Sequence, residues 1–427
     1  MAVDTNTSLR NQVMYSVFVR NYSKEGTFKK VTDDVKRIKA LGVDIVWLMP
    51  IHPVGERKRK GTLGSPYAIK DYRAVNPEFG TLDDLKELVS AIHDNGMKCI
   101  IDVVYNHTAP DSVLAKEHPE WFYHKADGSF GNKIGDWSDI IDLDYTQRGL
   151  WDYQIETLKQ WAKIVDGFRC DVAPLVPLDF WLRARKEVAA VHPECIWLSE
   201  SVEPAFVYEN RKHGIPCLSD SEIFQAFDVS YEYDIYWDYV NYLAGKSTLA
   251  SYADQINRQE GTFPANYVKL RYLENHDRPR AKFLIANEQA LRNWTSFIYF
   301  QKGLTLLYNG QEKEADRRPS LFDKDTIVWN TERDLTPLMQ KLYQIKKTPL
   351  FASSVYHAEA LGNNVLFASH ADSEHEIAGI FCTTGTAAAV KVSMPDGSYK
   401  NMIDGKNIQV ECGILSTTGE PIIMQVK

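Results

Sequence analysis

Apolar residues come in short continuous runs, separated by stretches in which they recur every three or four positions. Val13-Met14-Tyr15-Ser16-Val17-Phe18-Val19 predicts a strand. Residues 31–41 place Val35, Ile38 and Leu41 at helical spacing, with Lys36, Arg37 and Lys39 elsewhere, and Gly42 ends the helix. Residues 43–49 predict a second strand and 50–80 a long polar loop. Thr81 caps a helix over 82–94, Gly96 stops it, and 98–105 is a third strand. Residues 106–146 break the rhythm with aromatics, glycines and acids of no clear period. That is too long for an ordinary connection, so it predicts a small subdomain or a functional excursion. The alternation then resumes. Helix 150–164 leads to a strand ending at Asp171, and helix 178–191 to strand 195–199. Strands follow at 224–231, 268–273 and 304–308, with a last helix over 335–347.

Eight strand-then-helix units over roughly 350 residues predict an α/β fold, a (β/α)8 barrel with insertions. A doubly wound open sheet is the alternative, but no glycine-rich phosphate loop follows the first strand. After Pro349 the helical period vanishes. Residues 365–369, 377–382, 388–393 and 422–426 read as strands, punctuated by Pro395-Asp396-Gly397 and Asp404-Gly405, and predict a small antiparallel β-domain. The expected divisions are a barrel over 1–105 and 147–348, an insertion over 106–146, and a β-sandwich over 349–427.

Charge and composition remove several function classes. Net charge is −8, with acids and bases interleaved and no basic stripe, so nucleic acid is not an expected partner. The longest apolar run, 43–51, contains Asp44 and is far too short to span a bilayer, so no membrane partner is expected. Residues 1–12 are polar and carry no apolar signal core, which predicts a cytoplasmic protein acting on short, soluble substrates. Cys99, Cys170 and Cys195 sit in apolar runs as small hydrophobes, and no CxxC pair suggests zinc.

The candidate chemistry lies at the strand ends, where barrels of this type carry their sites. In Gly167-Phe168-Arg169-Cys170-Asp171 the two charges lie two apart, on one face of a strand. They are either an ion pair plugging the barrel end or an arginine that keeps a carboxylate ionised for attack. Strand three ends in Asp102-Val103-Val104-Tyr105-Asn106-His107, strand five in Trp197-Leu198-Ser199-Glu200, and strand seven in Glu274-Asn275-His276-Asp277. Metal-dependent hydrolysis would want imidazoles on the first strand, which has none. Glycoside hydrolysis by two carboxyls, with help from a third, uses such a rim directly.

In order and spacing these four segments, with Tyr308-Asn309-Gly310-Gln311-Glu312 after strand eight, resemble the signatures of the α-amylase family of retaining glycoside hydrolases. The resemblance covers about residues 13–348, and the excursion after strand three stands where that family carries its domain B. It implies Asp171 as nucleophile, Glu200 as general acid/base and Asp277 as transition-state stabiliser. Arg169 would orient and ionise Asp171, and Asp102 would support Arg169. His107 and His276 would bond sugar hydroxyls, and Tyr67, in Ser65-Pro66-Tyr67-Ala68, would be the aromatic on which the sugar stacks. Opposed pKa shifts are expected, with Asp171 lowered by Arg169 and Glu200 raised.

The strand-four motif departs from that pattern. It continues Val172-Ala173-Pro174-Leu175, without the lysine that contacts the leaving-group sugar or the histidine that helps hold calcium. No cofactor is therefore expected to be required. Calcium is the one ion left open, with Asn106 as a ligand and Asp139, Asp142 or Asp144 as further oxygens. Asp316, Arg317 and Arg318 are either an outer subsite or a solvated charge run. The expected activity is cleavage of α-1,4-glucosidic bonds in α-glucan oligosaccharides. A 4-α-glucanotransferase or α-glucosidase is the alternative within the class, and a non-catalytic carbohydrate-binding homologue the alternative outside it.

Overall fold

The computed structural model describes residues 4–134 and 137–427, so residues 1–3 of the expected barrel and 135–136 of the expected insertion lie outside the described residues. Eight parallel strands close into a barrel. They are β1 (Val13–Val17), β2 (Ile45–Leu48), β3 (Lys98–Val103), β4 (Gly167–Cys170), β5 (Ile196–Ser199), β6 (Val229–Tyr231), β7 (Val268–Arg271) and β8 (Leu304–Tyr308). Each pairs with its neighbours in sequence, and β1 beside β8 closes the ring, with Val13 opposite Thr305. Every strand residue except Lys98 is buried. Helices cover the outer face and side chains fill the interior, so these strands read as continuous apolar runs rather than alternating ones.

The helix over Leu82–Asp94 has the expected bounds, and Thr81 and Asp84 cap it reciprocally. The single helix expected over 31–41 is instead two, Phe28–Thr32 and Val35–Gly42. Asp34 lies at the break, where Tyr22 and Arg37 both donate to its carboxylate. The strand expected over 224–231 is only its last three residues. A capped helical turn, Asp220–Ile223, precedes it, and Phe224 and Phe227 are buried from irregular backbone. Three further helices, Tyr236–Leu243, Leu249–Thr262 and Glu288–Phe300, escaped the sequence reading. In the last of these, Ala290, Leu291, Trp294, Phe297 and Ile298 recur at helical spacing, but residues 293–300 are all buried, Asn293, Thr295 and Ser296 among them.

The excursion after β3 leaves and returns at one place, because His107–Thr108 pairs antiparallel with Ile141–Asp142. The C-terminal domain has two four-stranded antiparallel sheets. Its strands are β9 (Val355–Ala360), β10 (Val365–Ala371), β11 (Glu376–Cys382), β12 (Ala388–Lys391), β13 (Gly397–Lys400), β14 (Asn407–Glu411), β15 (Ile414–Thr417) and β16 (Ile422–Gln425). The orders are β9-β10-β11-β16 and β12-β15-β14-β13. The first sheet packs on the barrel through Phe381, 5.3 Å from Phe297 and 5.6 Å from Phe300. Val365, Ile380, Val390, Val410 and Leu415 fill the space between the sheets. Among the described residues no helix is long and apolar enough to cross a membrane.

Candidate active site

Arg169 is the hub of the barrel mouth. It stands opposite Asp102 in the β3–β4 register, and neither side chain is exposed. Its Nη1 donates to Asp102 Oδ1 at 3.0 Å and to Asp171 Oδ1 at 2.8 Å. Its Nη2 lies 2.9 Å from Glu200 Oε2, too poorly aligned for a hydrogen bond, and its Nε donates to Tyr231 Oη at 3.2 Å. The rings of Trp47, Tyr67 and Tyr231 surround the guanidinium at 5.3, 5.6 and 5.4 Å. A Cβ on Gly167 would meet Ile196 O at 2.4 Å, so that glycine admits the neighbouring strand rather than a ligand.

Three carboxylates around one buried guanidinium cannot all ionise cheaply. Burial is the largest influence on each and pushes all three up, with Arg169 opposing. Glu200 is raised to about 8, Asp102 to about 7 and Asp171 to about 6. The opposed shifts expected of Asp171 and Glu200 are therefore corrected: both rise, because desolvation outweighs the arginine. What survives is the order, with Glu200 the better proton holder. Asp277 behaves differently. Burial pulls it upward, but His276, Arg169 and Arg278 together outweigh this and hold it at about 2. Its carboxylate is 40% exposed, so it faces an open cleft that Asp171 and Glu200 reach only at their edges and Asp102 does not reach.

Glu200 is fixed by its neighbour. Val172 N–H donates to Glu200 Oε2 at 2.9 Å. That N–H is aimed by a backbone at φ 34°, ψ 45°, a left-handed conformation that strains a β-branched residue. With Oε2 occupied, Oε1 is the oxygen left to carry a proton. Burial lowers His107 to about 4, so the ring is neutral. Asn106 Nδ2 lies 3.2 Å from His107 Nδ1, which assigns the ring proton to Nε2, 3.9 Å from Asp171 Oδ2. Tyr67 is buried, with its ring stacked on His276 at 5.4 Å and its hydroxyl donating to Asp102 Oδ2 at 3.1 Å. His276 Nε2 lies 2.7 Å from that hydroxyl and 3.0 Å from Asp277 Oδ2.

The structure thus gathers Tyr67, Asp102, His107, Arg169, Asp171, Glu200, His276 and Asp277 at one rim. The sequence reading missed Tyr231, which looks like one more core aromatic, and the Val172 backbone, which no residue pattern signals. Of the charged run after β8, Asp316 pairs with Arg333 and Arg317 with Asp325, both at the surface. Arg318 alone reaches the site, donating to the backbone oxygen of Asp277.

Calcium takes six to eight oxygen ligands, and the donors near Asn106 fall short of that. Asn106 is engaged with His107, Asp139 is paired with Lys60 at 2.8 Å, and Asp144 bonds Thr146. Asp142 accepts Lys133 N–H at 2.7 Å, and only its Oδ1 is left without a partner. Among the described residues no group of three His, Cys, Asp or Glu side chains converges as a metal cage.

A closed parallel barrel with an arginine and four carboxylates at its strand ends defines a glycosidase-type enzyme. The model of the alpha amylase catalytic domain matches residues 6–137 and 115–348, and that of the bacterial alpha amylase C-terminal domain matches residues 357–424. The chain belongs to the α-amylase family. A solved alpha-amylase from Lactobacillus plantarum is 51% identical with a TM-score of 0.96, covering 98% of this chain and 100% of that one. A maltogenic alpha-amylase from Thermotoga neapolitana is 33% identical with a TM-score of 0.87, covering 98% and 99%. Among curated proteins, the alpha-1,4-glucan:maltose-1-phosphate maltosyltransferase of Rhodospirillum rubrum is 29% identical over 355 residues, which is 75% of this chain and 48% of that protein. The chain spans about half the length of such curated relatives.

Proposed function

We propose that this chain cleaves α-1,4-glucosidic bonds in malto-oligosaccharides with net retention, through a covalent glycosyl-enzyme. The observation that carries the reading is the bridging of Asp171 and Glu200 by one guanidinium. The two carboxyls also interact directly, side chain to side chain, which suits retention, where inversion needs room for a water between them. Asp171 Oδ2, the oxygen not bonded to Arg169, attacks the anomeric carbon while Glu200 Oε1 gives its proton to the departing sugar oxygen. Water then attacks the same carbon, returns a proton to Glu200 and frees Asp171. Asp277, ionised throughout, faces the positive charge that develops on the ring. His107 Nε2–H and His276 hold sugar hydroxyls, and Tyr67 offers its remaining ring face to the sugar. A binding protein would need no such division of proton affinities among its carboxyls.

Transfer to a sugar acceptor is the second reading, favoured by the maltosyltransferases among the relatives. Incubation with maltoheptaose separates the two: shorter products alone mean hydrolysis, and sugars longer than seven units mean transfer. NMR of fresh product should show the α-anomer first, and β-anomer appearing first would remove Asp171 from the role of nucleophile.

The pH dependence follows from the two titrations. The nucleophile must be ionised and the acid protonated, so kcat/KM should climb as pH rises through about 6 and fall as it passes about 8. A profile rising monotonically to pH 9 would contradict the assignment of Glu200 as acid. Dependence on calcium should be weak: prolonged chelation should leave most activity and shift Tm little, whereas full inactivation rescued by calcium would overturn this. The six cysteines form no disulfide, which favours a reducing compartment.

A further inference from the structure

Tyr67 and His107 follow β2 and β3, so the sugar they are proposed to hold lies on that side of the mouth. In a closed ring of eight, β6 stands diametrically opposite β2. The connection after β6 opens the helix Tyr236–Leu243, and its second residue, Trp237, is 49% exposed in a region otherwise crowded with buried aromatics. Arg278, the residue after Asp277, packs its guanidinium over three rings of this segment. The distances to their centroids are 4.3 Å for Tyr233, 4.5 Å for Tyr236 and 5.3 Å for Trp237. Glu203, three residues beyond Glu200, accepts from Arg278 Nη2 and neutralises it. Tyr233 is tied in turn to the β7 end by Asn275 Nδ2, 3.3 Å from its hydroxyl. The indole is therefore anchored to segments that carry two of the reacting carboxylates, while about half of it remains open to solvent.

We propose that Trp237 is the sugar platform on the leaving-group side of the cleft, receiving the apolar face of a glucosyl unit beyond the cleaved bond. The inference rests on the α-glucan reading above and supplies the leaving-group subsite that the strand-four motif lacks. An indole offers a broad, rigid apolar face at small entropic cost, which suits the flat face of a pyranose.

The experiment compares two substrates in wild type, Trp237→Ala and Trp237→Phe. Maltopentaose places sugar on both sides of the cleaved bond, whereas α-maltotriosyl fluoride leaves the far side empty because its leaving group is fluoride. The ratio of the two kcat/KM values isolates the platform. In Trp237→Ala the ratio of maltopentaose to fluoride should fall about tenfold or more, and Trp237→Phe should recover most of it. A ratio unchanged in Trp237→Ala, or one that Trp237→Phe fails to recover, overturns the platform while leaving the proposed function intact. A wild type that turns over neither substrate overturns the proposed function, and this inference with it.

Discussion

Asp171→Asn should abolish turnover, by on the order of 10⁴-fold or more, because no other described side chain is placed to form the glycosyl-enzyme. Glu200→Gln should behave differently. On malto-oligosaccharides, whose leaving group needs a proton, the loss should be about 10²–10⁴-fold. On a glycosyl fluoride or activated aryl glycoside, bond cleavage should be nearly normal. Deglycosylation, still without its base, should then limit the rate and produce a burst. Stability distinguishes chemistry from unfolding. Both groups have folded pKa values raised by burial, Asp171 to about 6 and Glu200 to about 8. A carboxyl raised in this way supports the fold below its unfolded pKa and loses that support as pH rises through the folded value. A neutral amide removes that loss, so neither variant should melt below wild type at pH 8. Equal losses on natural and activated substrates in Glu200→Gln would remove it from the role of acid.

The barrel was legible because its strands are buried on both faces and so appear as unbroken apolar runs, such as residues 45–48. What the sequence hid has specific causes. The helix Glu288–Phe300 does carry Ala290, Leu291, Trp294, Phe297 and Ile298 at helical spacing, but it lies between the barrel and the C-terminal sheet, so Asn293, on its polar side, is buried and bonded to Gly419 and Cys382 rather than to water. Strands β9, β13, β14 and β15 leave half or more of their residues exposed, so they lack the continuous apolar runs that marked the others, even though Pro395-Asp396-Gly397 and Asp404-Gly405 bound β13. At the site, each rim carboxylate could be placed because a strand end fixes its direction, and the spacing of Arg169 and Asp171 put both on one face. The sign of the Asp171 shift was not legible. It depends on how much water the closed mouth excludes and on two further carboxylates that share the same arginine, which only the three-dimensional arrangement shows. The Val172 N–H is hidden for a related reason, since a valine gives no hint that its backbone is left-handed.

Arg169→Met is the substitution expected to damage both fold and chemistry. It keeps the bulk of the side chain among Trp47, Tyr67 and Tyr231 but leaves Asp102, Asp171 and Glu200 with no common counterion. Removing one member of a buried charge cluster costs about 3–5 kcal/mol, because the remaining charges stay desolvated and unpaired. The cost should depend on pH. Without the guanidinium, the carboxyl pKa values rise further, so the variant should lie nearest wild type near pH 5 and fall away from it toward pH 8. Activity should drop about 10³-fold or more even where the variant is folded, since a protonated Asp171 cannot attack. Arg169→Met with Asp102→Asn removes one of the stranded charges, so it should regain part of the stability and none of the activity. Urea midpoints from pH 5 to 8, with kcat/KM measured on folded protein, check both parts. A stability loss independent of pH would mean that the methionine merely packs badly, and activity within tenfold of wild type would mean that Asp171 does not need its arginine.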